Sequence, residues 1–62
     1  MPLRRYDVRF DQATRQYVVE VVTDRGERRA LERYPDWEAA DSMRTHANAR
    51  LAQNGELLPE RH

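Results

Sequence analysis

The sequence predicts an α+β fold: a three-stranded antiparallel meander over about residues 4–11, 16–23 and 27–33, packed on one C-terminal helix over about 36–54. Three observations predict it. Apolar and charged residues alternate in the first strand segment, Gly26 sits where a short turn must reverse the chain, and after Pro35 apolar residues recur every three or four positions.

Tyr6, Val8 and Phe10 alternate with Arg5, Asp7, Arg9 and Asp11, the pattern of a strand with one buried face. Asp11–Gln16 is a polar turn cluster. Tyr17–Thr23 follows, rich in β-branched residues and apolar on both faces, as a central strand is. Asp24-Arg25-Gly26 forms a three-residue hairpin loop, with Gly26 in the left-handed conformation, and the more polar 27–33 is the third strand. These loops fix a register. Phe10 is expected opposite Tyr17, Val8 opposite Val19 and Tyr6 opposite Val21; Thr23 is expected opposite Glu27, Val21 opposite Arg29 and Val19 opposite Leu31. Val8, Val19 and Leu31 then share the face that the helix covers. Asp36 is the expected N-cap, Glu38 complements the first turn, and Trp37, Ala40, Met43, Ala47 and Leu51 make the apolar stripe. Gly55 is the stop signal. Leu57 and Leu58 are expected to fold back over the core edge, within a 56–62 tail that is partly frayed.

Residues 1–62 make a single domain, near the lower limit of independent folding; a chain this size buries only about 60% of the surface its unfolded form exposes. Cysteine is absent, which excludes a disulfide framework and thiolate metal sites. The start, Met1-Pro2-Leu3-Arg4-Arg5, opens no apolar run of signal-peptide or membrane-span length, so the expected location is cytoplasmic. Eleven basic residues, all arginine, balance eleven acidic ones. A zero balance gives no long-range attraction to nucleic acid or acidic membranes, so binding to either needs a local patch. The simpler expectation for the absence of lysine is the codon bias of a GC-rich genome, and the alternative is selection for guanidinium forks, which suit bidentate recognition of phosphate or carboxylate.

No catalytic constellation, cofactor motif or metal-ligand spacing emerges. Ser42 and His46 lie four residues apart on the helix, within reach of a hydroxyl–imidazole bond, but a nucleophile and base also need an orienting group and an oxyanion pocket. His46 with Asp41 has no recognised metal-ligand spacing, and His62 lies on the tail. The chain is therefore expected not to be an enzyme. The informative surface is the sheet face away from the helix. It reads in rows Arg5–Val22–Arg28, Asp7–Glu20–Ala30 and Arg9–Val18–Glu32, with Val18 and Val22 expected to lie uncovered at the centre. Trp37 is expected to cap the end of the core, against Tyr34 or Tyr6; the alternative for Trp37, and equally for Tyr34, is a partly exposed aromatic anchor, tryptophan being enriched among interface hot spots.

Three strands followed by one helix, with Tyr34-Pro35-Asp36-Trp37-Glu38-Ala39-Ala40 at the junction, resemble the arm-type, AP2-like DNA-binding modules of tyrosine integrases. That resemblance covers roughly residues 5–54 and implies an open sheet face in the major groove, with Arg5, Arg9 and Arg28 on phosphates. Asp7, Glu20 and Glu32 depart from it, because they would meet phosphates and acceptor-rich base edges. In size and style a short frame beginning at Met1 also resembles the small inhibitors of phages and mobile elements, anti-CRISPR proteins among them. The function expected from the residues is a non-enzymatic protein-binding module with a protein partner. A nucleic-acid partner and a homodimeric accessory subunit, extending a sheet through an edge strand, are the alternatives.

Overall fold

The computed structural model describes residues 2–60. Its elements are β1 (Arg4–Asp11), β2 (Gln16–Thr23), β3 (Arg28–Tyr34) and α1 (Trp37–Gln53), with the strands in the order β1-β2-β3. This is the expected antiparallel meander followed by one helix. The first turn is set by Asp11, whose Oδ1 accepts from the Ala13 amide at 3.0 Å, and it closes with Arg15 at φ 55°. In the second turn the Thr23 amide donates to the Glu27 carbonyl and the Gly26 amide to the Thr23 carbonyl, both at 3.0 Å. Gly26 has φ 82°, a conformation that a Cβ disfavours.

The β1–β2 register is the expected one throughout, including Tyr6 opposite Val21, Val8 opposite Val19 and Phe10 opposite Tyr17. Between β2 and β3 the expectation holds only to Glu20 opposite Ala30. There the ladder slips by one residue, so that Val19 faces Glu32, Val18 faces Arg33 and Tyr17 faces Tyr34. Leu31 is the extra residue of a β-bulge. Glu32 therefore moves off the open face and Arg33 takes its place beside Val18, correcting the third expected row.

The helix starts and stops on its own sequence. Asp36 Oδ1 accepts from the Ala39 amide at 2.8 Å. At the other end Gly55 (φ 71°) allows the Glu56 amide to reach the Leu51 carbonyl at 2.8 Å and the Gly55 amide to reach that of Ala52 at 3.1 Å, a Schellman closure. Its N-terminal Trp37 lies against Tyr17, while Asn48 meets the outer edge of β1, so α1 runs obliquely across the sheet. The Asn48 amide acts as a short substitute strand: Tyr6 N–H donates to Oδ1 at 2.8 Å, and Nδ2 donates to the Tyr6 carbonyl at 3.0 Å. Just below, the chain after the helix joins the same edge. Arg4 N–H donates to the Glu56 carbonyl at 3.0 Å and Leu58 N–H to the Arg4 carbonyl at 2.8 Å, forming a parallel bridge between Arg4 and Leu57. Leu57 and Leu58 thus fold back as expected; residues 61 and 62, including His62, lie outside the described residues.

The core is small and two-sided. Val19, Ala40 and Leu51 are buried on the helix side, while Val18 and Val22 are buried on the other, at 0% and 5% exposure. The expectation of uncovered valines is therefore corrected: long arginine side chains flank them on this face, Arg9 and Arg33 beside Val18 and Arg5 and Arg28 beside Val22. Leu31, expected beside Val19 in the core, is 39% exposed. The bulge displaces it, and the oblique helix packs chiefly over β1 and β2 rather than β3.

Truncating Val19 to alanine leaves a void in this limited core and is expected to cost about 1–3 kcal/mol in urea unfolding. Asn48→Ala strips Tyr6 of both edge hydrogen bonds in a half-buried setting and is expected to cost about 1–3 kcal/mol. In that variant the Tyr6 amide should become the most accelerated β1 amide in hydrogen exchange.

Candidate binding surfaces

On the face away from α1, side chains from all three strands form one ion-pair lattice. Arg5 grips Asp7 with Nε on Oδ1 at 3.2 Å and Nη2 on Oδ2 at 3.3 Å. Arg28 Nη1 reaches Asp7 Oδ2 and Glu20 Oε1, each at 3.6 Å, and Arg9 Nε reaches Glu20 Oε2 at 3.2 Å. Glu20 is the centre of this arrangement and only 6% exposed, whereas the Arg9 and Arg28 side chains are half exposed. Arginine stems thus shield the valines while their guanidinium heads remain wetted. Glu20 Oε1 has a charge partner at 3.6 Å but no hydrogen bond among the described residues, because that separation exceeds hydrogen-bond reach.

The structure accordingly brings Arg5, Asp7, Arg9, Val18, Glu20, Val22 and Arg28 together as the sequence implies, with the valines beneath rather than between the charges. Arg33 completes the face, with Nη1 on Asp11 Oδ2 at 2.8 Å and on Thr14 Oγ1 at 3.4 Å. That guanidinium is the main cause holding the Asp11 carboxyl below its ordinary value; the Ala13 amide and Thr14 act in the same direction, and desolvation opposes them. A groove of about 380 Å³ borders the lattice, where Arg5, Arg25 and Arg28 meet Val22, Leu58 and Pro59.

The helix side carries the exposed apolar surface. Phe10 (48% exposed) leans on Tyr17 with ring centroids 5.1 Å apart, and Trp37 (46% exposed) meets Tyr17 edge-on at 5.9 Å. Arg44 lies over the Trp37 ring at 5.6 Å and is also paired with Asp41. Tyr34 stands opposite Tyr17 on β3, its hydroxyl donating to the Glu32 carboxylate, which holds the phenol pKa above its ordinary value. Trp37 thus packs on Tyr17, not on Tyr34 or Tyr6 as expected, and roughly half its surface stays open. Phe10 and Leu31 were not singled out by the sequence, since each sits at a position of the buried face. The oblique path of the helix exposes Phe10, and the bulge together with that path exposes Leu31.

His46 Nδ1 donates to the Ser42 backbone carbonyl at 2.8 Å, so its partner is the helix backbone rather than the Ser42 hydroxyl considered from sequence. Among the described residues, no group of three or more His, Cys, Asp or Glu is placed to hold a metal ion, and no helix is long and apolar enough to cross a membrane. No family model matches the chain, and neither a curated protein nor a solved structure matches it.

Two measurements probe the lattice. Glu20→Gln is expected to destabilise by about 1 kcal/mol, less than the ~3–5 kcal/mol of a fully buried pair because Arg9 and Arg28 are half solvated, with a smaller loss at high salt. Carboxyl NMR titration should place Asp11 below its ordinary 3.8, and Arg33→Ala should return it toward that value. Because the folded pKa is the lowered one, the Asp11–Arg33 contribution is present above the unfolded value. It disappears as pH falls through the folded value.

Proposed function

We propose that this chain is a non-enzymatic protein-binding module that acts by occupying a partner's surface, in the manner of small phage-type inhibitors. The observation that carries the reading is the placement of its exposed large apolar residues. Phe10 and Trp37 belong to the helix side of the sheet, where Tyr17 links them in one aromatic row, and Leu31 at the bulge is exposed as well. Aromatic side chains offer large contact area at small entropic cost, and tryptophan is a preferred hot-spot residue. The anchor thus moves from the sheet face, where the valines are covered, to the aromatic end that includes Trp37 and Tyr34.

The state of the arginines weighs against the DNA-binding alternative. Arg5, Arg9 and Arg28 already hold Asp7 and Glu20, so a phosphate backbone laid along this face would meet two carboxylates together with the three guanidinium groups.

Affinity capture from lysate with the tagged chain, with and without nuclease, tests the reading. A protein partner should be retained after nuclease treatment. Trp37→Ala should weaken that capture roughly thirtyfold, the equivalent of a ~2 kcal/mol hot spot, while the circular dichroism of the isolated chain stays unchanged. Capture lost with nuclease, or a gel shift that weakens steeply with salt, would favour nucleic acid instead.

A further inference from the structure

The sheet has two edges, and their outward backbone groups meet different fates. In an antiparallel strand every second residue directs its N–H and C=O away from its neighbour. On β1 these residues are Arg4, Tyr6, Val8 and Phe10, as the bonds of Arg4 to Glu56 and Leu58 and of Tyr6 to Asn48 establish. Arg4 and Tyr6 are therefore closed off. Val8 and Phe10, immediately above, have no outward hydrogen-bond partner among the described residues. The β3 edge is defended differently: the bulge at Leu31 interrupts it, and Arg28, Arg29 and Arg33 line it, both recognised means of discouraging strand addition.

We infer that the Val8–Phe10 stretch of β1 is a docking edge for an extended segment of a partner protein with the pattern apolar–acidic–apolar. This deepens the protein-binding reading and rests on it. The backbone supplies two donors and two acceptors, the usual currency of strand addition. The side-chain rows supply the selectivity. A residue added opposite Phe10 extends the aromatic row Phe10–Tyr17–Tyr34 and covers the exposed Phe10 ring, and one opposite Val8 extends the row through Val19. Between them, on the other face, the new residue extends Arg9–Val18–Arg33, a row whose two guanidinium groups hold Glu20 and Asp11 from neighbouring rows yet stay about half exposed, at 50% and 45%. An acidic side chain fits there and a basic one is repelled.

A second copy of the chain fits poorly. The one antiparallel self-pairing that uses both open positions sets Val8 against Phe10 of the other copy. It thereby puts Arg9 directly opposite Arg9, a like-charge pair. Centring the pairing on Val8 instead would bring Phe10 against Tyr6, whose edge Asn48 already occupies.

The test uses the full chain, isotope-labelled, titrated to millimolar with the blocked peptide Thr-Val-Glu-Val-Thr and with its arginine-centred counterpart Thr-Val-Arg-Val-Thr. The Val8 and Phe10 amide protons should move downfield and exchange more slowly with the first peptide. The response to the second should be at least severalfold weaker. A chemically synthesised chain carrying N-methyl-Phe10 keeps the ring and the β2 ladder but lacks the outward donor; it should lose the response while its remaining amide spectrum is unchanged. If the methylated chain does not fold, Val8→Pro, compared with Val8→Ala, removes the neighbouring outward donor instead.

Absence of these shifts, shifts centred on β3, or equal response to both peptides would overturn the inference. So would a dimer mass by light scattering with Val8 and Phe10 already protected in the free protein. The two proposals fail separately. Partner capture that needs Trp37 but is indifferent to N-methyl-Phe10 would remove the docking edge alone, whereas peptide docking without any captured protein would remove the broader reading alone.

Discussion

A sheet has two faces, and this chain provides one helix to cover them. The second face of β2 must therefore be kept dry by side chains of the sheet itself, and much of the structure follows from that constraint. Val18 is as fully buried as Val19 and Val22 nearly so, although no second helix or sheet lies above them among the described residues. What lies above is a lattice of arginine stems and paired charges, organised around Glu20. An arginine can do this because its aliphatic stem is apolar and its planar head binds carboxylates from the side. The chain's exclusive use of arginine as its base acquires a structural sense here, whatever its genetic origin.

The same economy governs the edges. A domain of 62 residues without cysteine has few ways to fasten its periphery. Asn48 fastens helix to strand through two backbone bonds at once, and the chain after Gly55 extends the fastening to Arg4. Both devices serve the lower half of β1. Its upper half keeps its polar backbone groups for water or for a partner, next to the aromatic row.

The legible part of this fold was the part written in alternation. Tyr6, Val8 and Phe10 had to face Val21, Val19 and Tyr17, because a one-residue slip would have turned charged side chains into the core. β3 carries no such alternation: Arg29, Glu32 and Arg33 are polar whichever way they point, so nothing in the sequence marks Leu31 as an extra residue. Burial of the valines was illegible for a different reason. It depends on where flexible arginine side chains come to rest, which periodicity does not encode. Asn48 did leave a trace, as an amide of poor helix propensity beside the apolar stripe of Met43, Ala47 and Leu51. A polar group in that position has to find a partner, and the nearest unpaired backbone is the strand edge. For the binding surface, Trp37 and Tyr34 were visible by residue type, while Phe10 depended on the helix angle.

The bulge also says something about chain length. β3 holds one residue more than its ladder with β2 requires, and Leu31 is that residue. Without it, Ala30 would still face Glu20, Glu32 would face Val19, and Arg33 would face Val18 in unbroken alternation. The strand is in effect a regular one with an insertion, tolerated at an edge where no further strand has to follow the distortion. Shortening the chain by one residue there leaves every other pairing as it is. Among relatives of this domain, the middle of β3 is therefore where a single-residue gap would be absorbed without altering the fold.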